Sequence, residues 1–383
     1  MSTQDQGHTL PPLPFAPAGG APNTIGSAQH GLYMSRAERR QEQGRLYDLC
    51  FGKDDGRAVL PWRYDDCPHG TTLAPTALSD TGDIVASYAC QPRRVRFRGE
   101  DMGAARVGQT GDVMTHPDLR SGGVFTDLHW NAMERAQAAG WPAAWGLPNR
   151  FSGHIFFNKL GWHHAGHIGP WNFVLSTGER ARAIRLHNGR LAAWGAPWAA
   201  WRGAAARRKL GRSSYAVERL DVFPEEVSQL SSWVEKGFDW MVHRDAEYLR
   251  WRFLDAPCGR FEAWGLRDQS GALAGYVVVQ LPLENTGLGF IVDLLGADPA
   301  AENRALAAGL DVLAAGGCAV VRAYGMRGSH WEKVLERGGF RRPRGYKEVG
   351  AYALLPDHPL ASSTLDTSSW YFLDGDRDDE FAR

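Results

Sequence analysis

The run Gly111–Trp162 constrains this chain more than any other stretch. A short strand, Asp112–Thr115, is stopped by Pro117, which has no N–H to give to a sheet ladder. Arg120-Ser121-Gly122-Gly123 follows and opens an alanine-rich segment with Leu128, Met133, Ala136 and Ala139 near one helical face. A second strand at Ala143–Leu147, a Pro148-Asn149 turn and a helix ending at Gly161 complete it. A glycine turn entering a helix presents unpaired backbone N–H groups at the positive end of the dipole, a cradle suited to a pyrophosphate. Gly122 and Gly123 let the backbone approach such a ligand with no Cβ in the way. A Gly-Gly pair also makes an ordinary turn, so the surrounding residues decide between the two.

Arg120-Ser121-Gly122-Gly123-Val124-Phe125 resembles the Arg/Gln-x-x-Gly-x-Gly/Ala loop of the GNAT acyl-CoA N-acyltransferases, which also follows a strand and begins a long helix. Phe157-Asn158-Lys159-Leu160-Gly161-Trp162 is similar to the Tyr-x-Lys-x-Gly-Phe helix end common in that family. The resemblance implies an α/β fold with a mixed (α+β) sheet, and acyl-CoA as co-substrate. It implies cofactor contacts from Met114 and Thr115 on the strand and from Arg120, Ser121, Gly122, Gly123, Val124 and Phe125 in the loop. It extends them to Asn149, Phe156, Phe157 and Lys159. Two residues depart from the pattern. Phe125 stands where the loop usually ends in a small residue, and Phe157 stands where many members carry the tyrosine that protonates the departing thiolate.

Direct transfer needs no covalent nucleophile, and the sequence has no Gly-x-Ser-x-Gly elbow. The tetrahedral oxyanion needs a pre-aimed donor, for which a backbone N–H at Met114 or Thr115 serves. An ammonium acceptor must lose a proton first, so a base or water relay is required. Asp112 and His116 are the catalytic candidates, with His116 best placed beside the cradle; His154, His163, His164 and His167 form a further group.

Residues 62–91 align without gaps on residues 251–280: Trp62-Arg63-Tyr64 on Trp251-Arg252-Phe253, Gly70 on Gly259, Gly82 on Gly271, Gln91 on Gln280. Later, Lys159-Leu160-Gly161-Trp162 matches Arg337-Gly338-Gly339-Phe340. Two tandem GNAT-like domains are therefore expected. The anticipated layout is a disordered tail over 1–30, a coenzyme-binding domain over 31–180, a Trp- and Arg-rich connector over 181–225, a degenerate domain over 226–355 and a tail over 356–383. In the second copy the loop before the helix reads Ala297-Asp298-Pro299, with no glycine, and Asp298 and Glu302 would repel a pyrophosphate. Ser35 is expected to cap a charged helix that starts at Arg36.

The 43 basic and 43 acidic residues cancel, so nothing in the charge favours nucleic acid as the main partner. Cys50, Cys67, Cys90, Cys258 and Cys318 are odd in number and match no metal spacing, so no metal and a reduced, cytoplasmic compartment are expected. No apolar run approaches a membrane span, so no membrane partner is expected. The expected activity is transfer of an acyl group from coenzyme A to a primary amine. Resemblance to two-copy sugar N-acyltransferases points to a nucleotide-linked amino sugar as acceptor, bound in part by Asp374 and Asp376 of the acidic tail. An amino acid or antibiotic amine, a carrier- or tRNA-bound donor, and a non-catalytic binding protein stand as alternatives.

Overall fold

The computed structural model describes residues 32–103, 105–119, 123–176, 196–211, 214–282, 287–342 and 345–377. The tail 1–30, much of the connector (181–195 and 212–213) and 378–383 lie outside the described residues. Two compact units divide the chain. The first runs to Arg93, resumes over Arg106–Gly146 and takes in Ala353–Pro356; the second holds Arg94–Ala105, Leu147–Tyr352 and the chain from Asp357. These cuts differ from the layout anticipated from sequence, because the segment after Gly146 counts with the second unit.

The first unit holds β1 (Leu32–Met34), α1 (Arg40–Phe51), α2 (Gly56–Tyr64), β2 (Pro75–Leu78), most of β3 (Ile84–Arg96), β4 (Arg106–Thr115), α3 (Val124–Ala138) and β5 (Ala143–Gly146). The strands lie side by side in chain order. β1, β2 and β3 are antiparallel neighbours, whereas β4 and β5 are parallel, the arrangement a crossover helix such as α3 produces. Ser35 does not cap a helix as expected. Its hydroxyl donates to Gln43 and accepts from Arg40, and the chain enters α1 through a 3-10 turn over Ala37–Arg39 that has no side-chain cap. Leu46, Tyr47, Leu60, Tyr64, Ala74, Leu78, Ile84, Ala89 and Met114 form a buried cluster joining α1 and α2 to the sheet. The two helices cross backbone to backbone. A Cβ on Gly44 would meet the Arg57 nitrogen at 2.8 Å, and one on Gly56 would meet the Gly44 carbonyl oxygen at 2.5 Å.

The second unit holds α4 (Gly153–Asn158), β6 (His163–Val174), α5 (Ala196–Leu210), β7 (Ala216–Leu220), α6 (Glu226–Val234) and β8 (Trp240–Val242). It continues with α7 (Ala246–Leu249), which runs into a π turn over Arg250–Leu254, then β9 (Phe261–Arg267), β10 (Leu273–Gln280), β11 (Leu288–Gly296) and α8 (Pro299–Ala315). β12 (Val320–Met326), α9 (His330–Arg337), β13 (Lys347–Ala353), α10 (Pro359–Thr364) and β14 (Trp370–Tyr371) complete it. Its main strand order is β13-β6-β12-β11-β10-β9-β7. β6 is antiparallel to both its neighbours, and β11 and β12 are parallel around α8.

The matched sequence segments take matching conformations. Arg63 and Arg252 are both buried. Gly70 and Gly259 have φ of +126° and +86°, and Gly82 and Gly271, which turn the β2–β3 and β9–β10 hairpins, have +83° and +85°. Those angles explain why glycine recurs at these positions. The mixed α/β class expected from sequence is the class observed. Among the described residues no helix is long and apolar enough to cross a membrane.

Two outcomes follow from this packing. Gly56→Val should lower unfolding free energy by about 1–3 kcal/mol or more in denaturant titrations, because α1 leaves the new atoms no room. His129 of α3 is fully buried, its Nδ1 3.1 Å from the Tyr88 hydroxyl, and burial lowers its imidazole from 6.5 to about 3. The folded chain thus keeps His129 neutral where the unfolded chain takes a proton. This contribution to stability is full above about pH 6.5 and falls as pH drops toward 3, by up to about 1.4 kcal/mol per pH unit. His129→Gln should remove one proton's worth of that slope, measured as the pH dependence of the unfolding free energy.

Candidate active site

In the first unit the site grows from the far end of β4. β5 pairs with β4 only over Ala144–Gly146 against Gly108–Thr110, while β4 runs on to Thr115. The strand bends at Asp112, whose φ of +45° is rare for any residue but glycine. The burial pattern changes there too: Val107 to Gly111 are all buried, whereas Asp112 and Val113 are both half-buried before Met114 turns back into the core. The bend is held from α2. Arg63 Nη1 donates to Asp112 Oδ2 at 2.5 Å, and the Tyr64 hydroxyl donates to the same oxygen at 3.1 Å. Burial first, then the Asp112 carboxylate, raises the Tyr64 phenol well above its usual range, which keeps it a donor. Asp112 is therefore committed to an ion pair, which leaves it poorly suited to take a proton from a substrate.

His116 follows the strand. Its backbone N–H donates to the Val85 carbonyl at 2.8 Å, and its Nδ1 accepts from the Asp118 N–H at 3.4 Å. The ring is part-exposed, with Nδ1 3.6 Å from the Asp118 carboxylate. Nδ1 thus faces Asp118, and as the acceptor of that N–H it leaves the neutral ring's proton on Nε2. The Sγ of Cys50, on the last turn of α1, donates to the Thr115 carbonyl at 3.4 Å.

Arg120, Ser121 and Gly122 lie outside the described residues. Gly123 is the N-cap of α3 with φ +76°, and no side chain caps the helix among the described residues. Among the described residues, a Cβ on Gly123 would meet nothing within 4 Å. Val124 is buried, and the Phe125 ring packs on Tyr88 with centroids 6.0 Å apart. That contact accounts for a large side chain where the resembled loop has a small one.

The remaining candidates lie in the second unit. The Asn149 side chain accepts from the Phe151 and Ser152 N–H groups at 2.8 and 3.0 Å and shapes its own turn. Phe156 is buried edge-on against Trp162, so it serves the core where a coenzyme contact was expected. Phe157 stacks flat on His164, centroids 3.7 Å apart, and His164 Nδ1 lies 3.4 Å from Glu348. Lys159 is exposed.

The tail carboxylates are not open to an acceptor as expected. Asp376 is buried, accepts from Arg244 Nη2 at 2.5 Å and from the Leu373 N–H at 2.9 Å, and so closes its own 3-10 turn. Asp374 accepts from Arg377 Nη1 at 2.6 Å. Arg244 also donates to Asp293, and Arg252 donates to the Gly375 and Arg377 carbonyls. Trp370 stacks on Trp240 at 4.1 Å. This network, which sequence reading missed, fastens the tail. Its signal was in the chain, since Arg252 stands opposite buried Arg63 in the repeat.

The second copy keeps the strand geometry and closes the mouth. β11 pairs with β12 only over Leu288–Phe290, yet runs to Gly296. The next helix, α8, is capped by Asp298, whose Oδ1 accepts from the Ala300 and Ala301 N–H groups at 2.8 and 2.7 Å. Pro299 at the first helical position has no N–H to offer. The place an anion would take is filled by the chain's own carboxylate.

Residues 36–165 match the model of an acetyltransferase (GNAT) domain family. No curated protein sequence matches the chain. Among solved structures, it resembles a GCN5-related N-acetyltransferase from Anabaena variabilis ATCC 29413, at 11% identity and TM-score 0.62, over 85% of this chain and 73% of that one. It also resembles a tandem GNAT protein from the clavulanic acid biosynthesis pathway, at 15% identity and TM-score 0.53, over 85% of this chain and 99% of that one. A third is the Saccharomyces cerevisiae N-myristoyltransferase with bound myristoyl-CoA, at 12% identity and TM-score 0.53, over 86% of this chain and 84% of that one. Residues 36–165 thus carry the likeness to a GNAT acetyltransferase domain, and across the chain's length the likeness to the solved structures, one of them a tandem GNAT protein, is one of fold.

Asp298→Ala tests the closed mouth. Loss of the cap should cost about 1 kcal/mol of stability in denaturant unfolding.

Proposed function

We propose that the chain moves an acyl group from a coenzyme A thioester to a primary amine, and that the first copy alone grips the coenzyme's diphosphate. The contrast between the two helix mouths carries this reading. α3 begins at a left-handed glycine with no side-chain cap among the described residues, after the end of β4 that runs on past β5, whereas the start of α8 is filled by Asp298. Unpaired N–H groups at a helix start favour an anion, and a diphosphate suits them.

The reaction needs no covalent intermediate. The neutral amine nitrogen attacks the thioester carbonyl carbon, the carbonyl electrons move onto oxygen, and their return breaks the C–S bond and expels the thiolate. The amine's proton passes to water, with His116 close enough to the strand end to serve as a relay, and the thiolate takes up a proton from solvent. Backbone N–H groups of Met114 or Thr115, past the bend in β4, are the donors assigned to the oxyanion. Phe157 has no proton to give, which supports solvent as the proton source.

The acceptor we assign is an amine on a nucleotide-linked sugar, supported by the tandem build and its resemblance to two-copy sugar N-acyltransferases. The tandem GNAT neighbour from clavulanic acid biosynthesis supports a second reading, a small-molecule amine outside sugar chemistry.

Coenzyme A at about one hundred times its dissociation constant should add about 2.7 kcal/mol of stability, read as a rise in melting temperature. Gly123→Val, which strains the left-handed cap and puts a branched side chain at the mouth, should weaken that rise, while Asp298→Ala should leave it intact. No rise in the unaltered chain at millimolar coenzyme would sink the proposal.

A further inference from the structure

We propose that Arg63 is a positioning residue for acyl transfer: by clamping Asp112 it fixes the bend in β4 that aims the Met114 or Thr115 N–H at the thioester carbonyl. The inference rests on the acyl-transfer reading above.

The geometry lies wholly within the first unit. Asp112 holds a φ of +45° in mid-strand. A residue stays in such a sparsely populated conformation only when its surroundings over-determine it. Those surroundings are specific. The Arg63 guanidinium is buried, donates to Asp112 Oδ2 at 2.5 Å and lies over the Tyr47 ring at 5.9 Å. Tyr64, the next residue of α2, gives the same oxygen a second donor at 3.1 Å. The bend therefore has two donors from α2, one of them laid over a ring of α1.

Its consequence lies two residues on. Met114 enters the buried cluster of α1 and α2, and the Thr115 carbonyl accepts from Cys50. The peptide groups between them are thus tied at both sides. An unclamped Asp112 can relax toward ordinary extended backbone, and those peptides then rotate away from the reacting carbonyl.

The second unit repeats the device with other side chains. In β11 the register against β10 passes from Asp293 to Ile291, leaving Val292 as the extra residue. Asp293 beside it accepts from Arg244 Nε at 3.1 Å and from the Tyr276 hydroxyl at 3.0 Å. An acid at an irregular strand, held by one arginine and one tyrosine, occurs twice with the arginine and tyrosine drawn from different elements. The common factor is the bend. Only in the first unit does the bent strand lead toward a helix whose N-cap is a glycine.

The test uses the full chain, Arg63→Met, Arg63→Lys and Tyr64→Phe, with acetyl-CoA as donor and a panel of primary amines as acceptors. Arg63→Met should lower kcat by roughly 10²-fold while shifting the acetyl-CoA dissociation constant less than about threefold, because the lost interaction acts on the transition state. Arg63→Lys should recover about tenfold of that loss, and Tyr64→Phe, which removes only one donor, should fall between. A second readout needs no acceptor and no fully stable variant. The carbonyl stretching band of carbon-13-labelled acetyl-CoA, measured bound to each protein, should move to lower frequency in the unaltered chain and lose that shift in Arg63→Met and part of it in Tyr64→Phe. Equal bands and equal kcat across the set overturn the clamp. An unaltered chain that binds no acetyl-CoA overturns the acyl-transfer reading instead, so the two failures are told apart.

Discussion

The first turn of a helix carries backbone donors that the helix itself cannot satisfy, and this requirement organises both halves of the chain. In the second copy Asp298 meets it internally, taking two N–H groups on one carboxylate oxygen, and the Tyr215 hydroxyl donates to the other oxygen at 3.0 Å. In the first copy a left-handed glycine stands at the same place and supplies no side chain. One architecture thus yields a helix capped by its own carboxylate and a helix whose N-cap glycine offers none. The difference rests on a few residues at two corresponding turns, not on any change of fold.

The strands beside these mouths are held by buried charge. Arg63 with Asp112 and Arg244 with Asp293 are ion pairs taken out of water, and such pairs are weak evidence for net stability because desolvation offsets their attraction. What they impose is a particular backbone path at a particular residue. In the second unit the same arginine also reaches Asp376, so the clamp holds the tail as well as the strand. Burial raises the Asp293 carboxyl above its usual range while Arg244 pulls it down, the opposition expected where a charge is retained inside.

Much of this was legible in the sequence. The order of strand, helix and strand read correctly because the boundaries carry their own punctuation: Pro117, Gly123, Pro148. The repeat was visible because Gly70, Gly82, Gly259 and Gly271 occupy backbone conformations that other residues resist. The closed second mouth could be argued from Asp298 and Pro299 alone. Side-chain partnership was not legible. Asp112 in a strand before a cradle looks like a base, and nothing local says that Arg63, far back in the chain, has claimed it. Asp374 and Asp376 look solvated in an acidic tail, but Arg244, Arg252 and two stacked tryptophans draw that tail inside. Ser35 was assigned to a cap because capping is a local rule, whereas its hydroxyl is spent on Gln43 and Arg40.

The course of β6 has a consequence for how such a chain can be divided. This strand follows the last helix of the first sequence copy, yet it lies between β13 and β12, both from the second. A cleavage or gene fission placed at the end of the first copy, near residue 180, would therefore carry away a strand from the middle of the second unit and leave β12 and β13 without it. The repeat is modular in ancestry but not in assembly, so the two copies are bound to be inherited together.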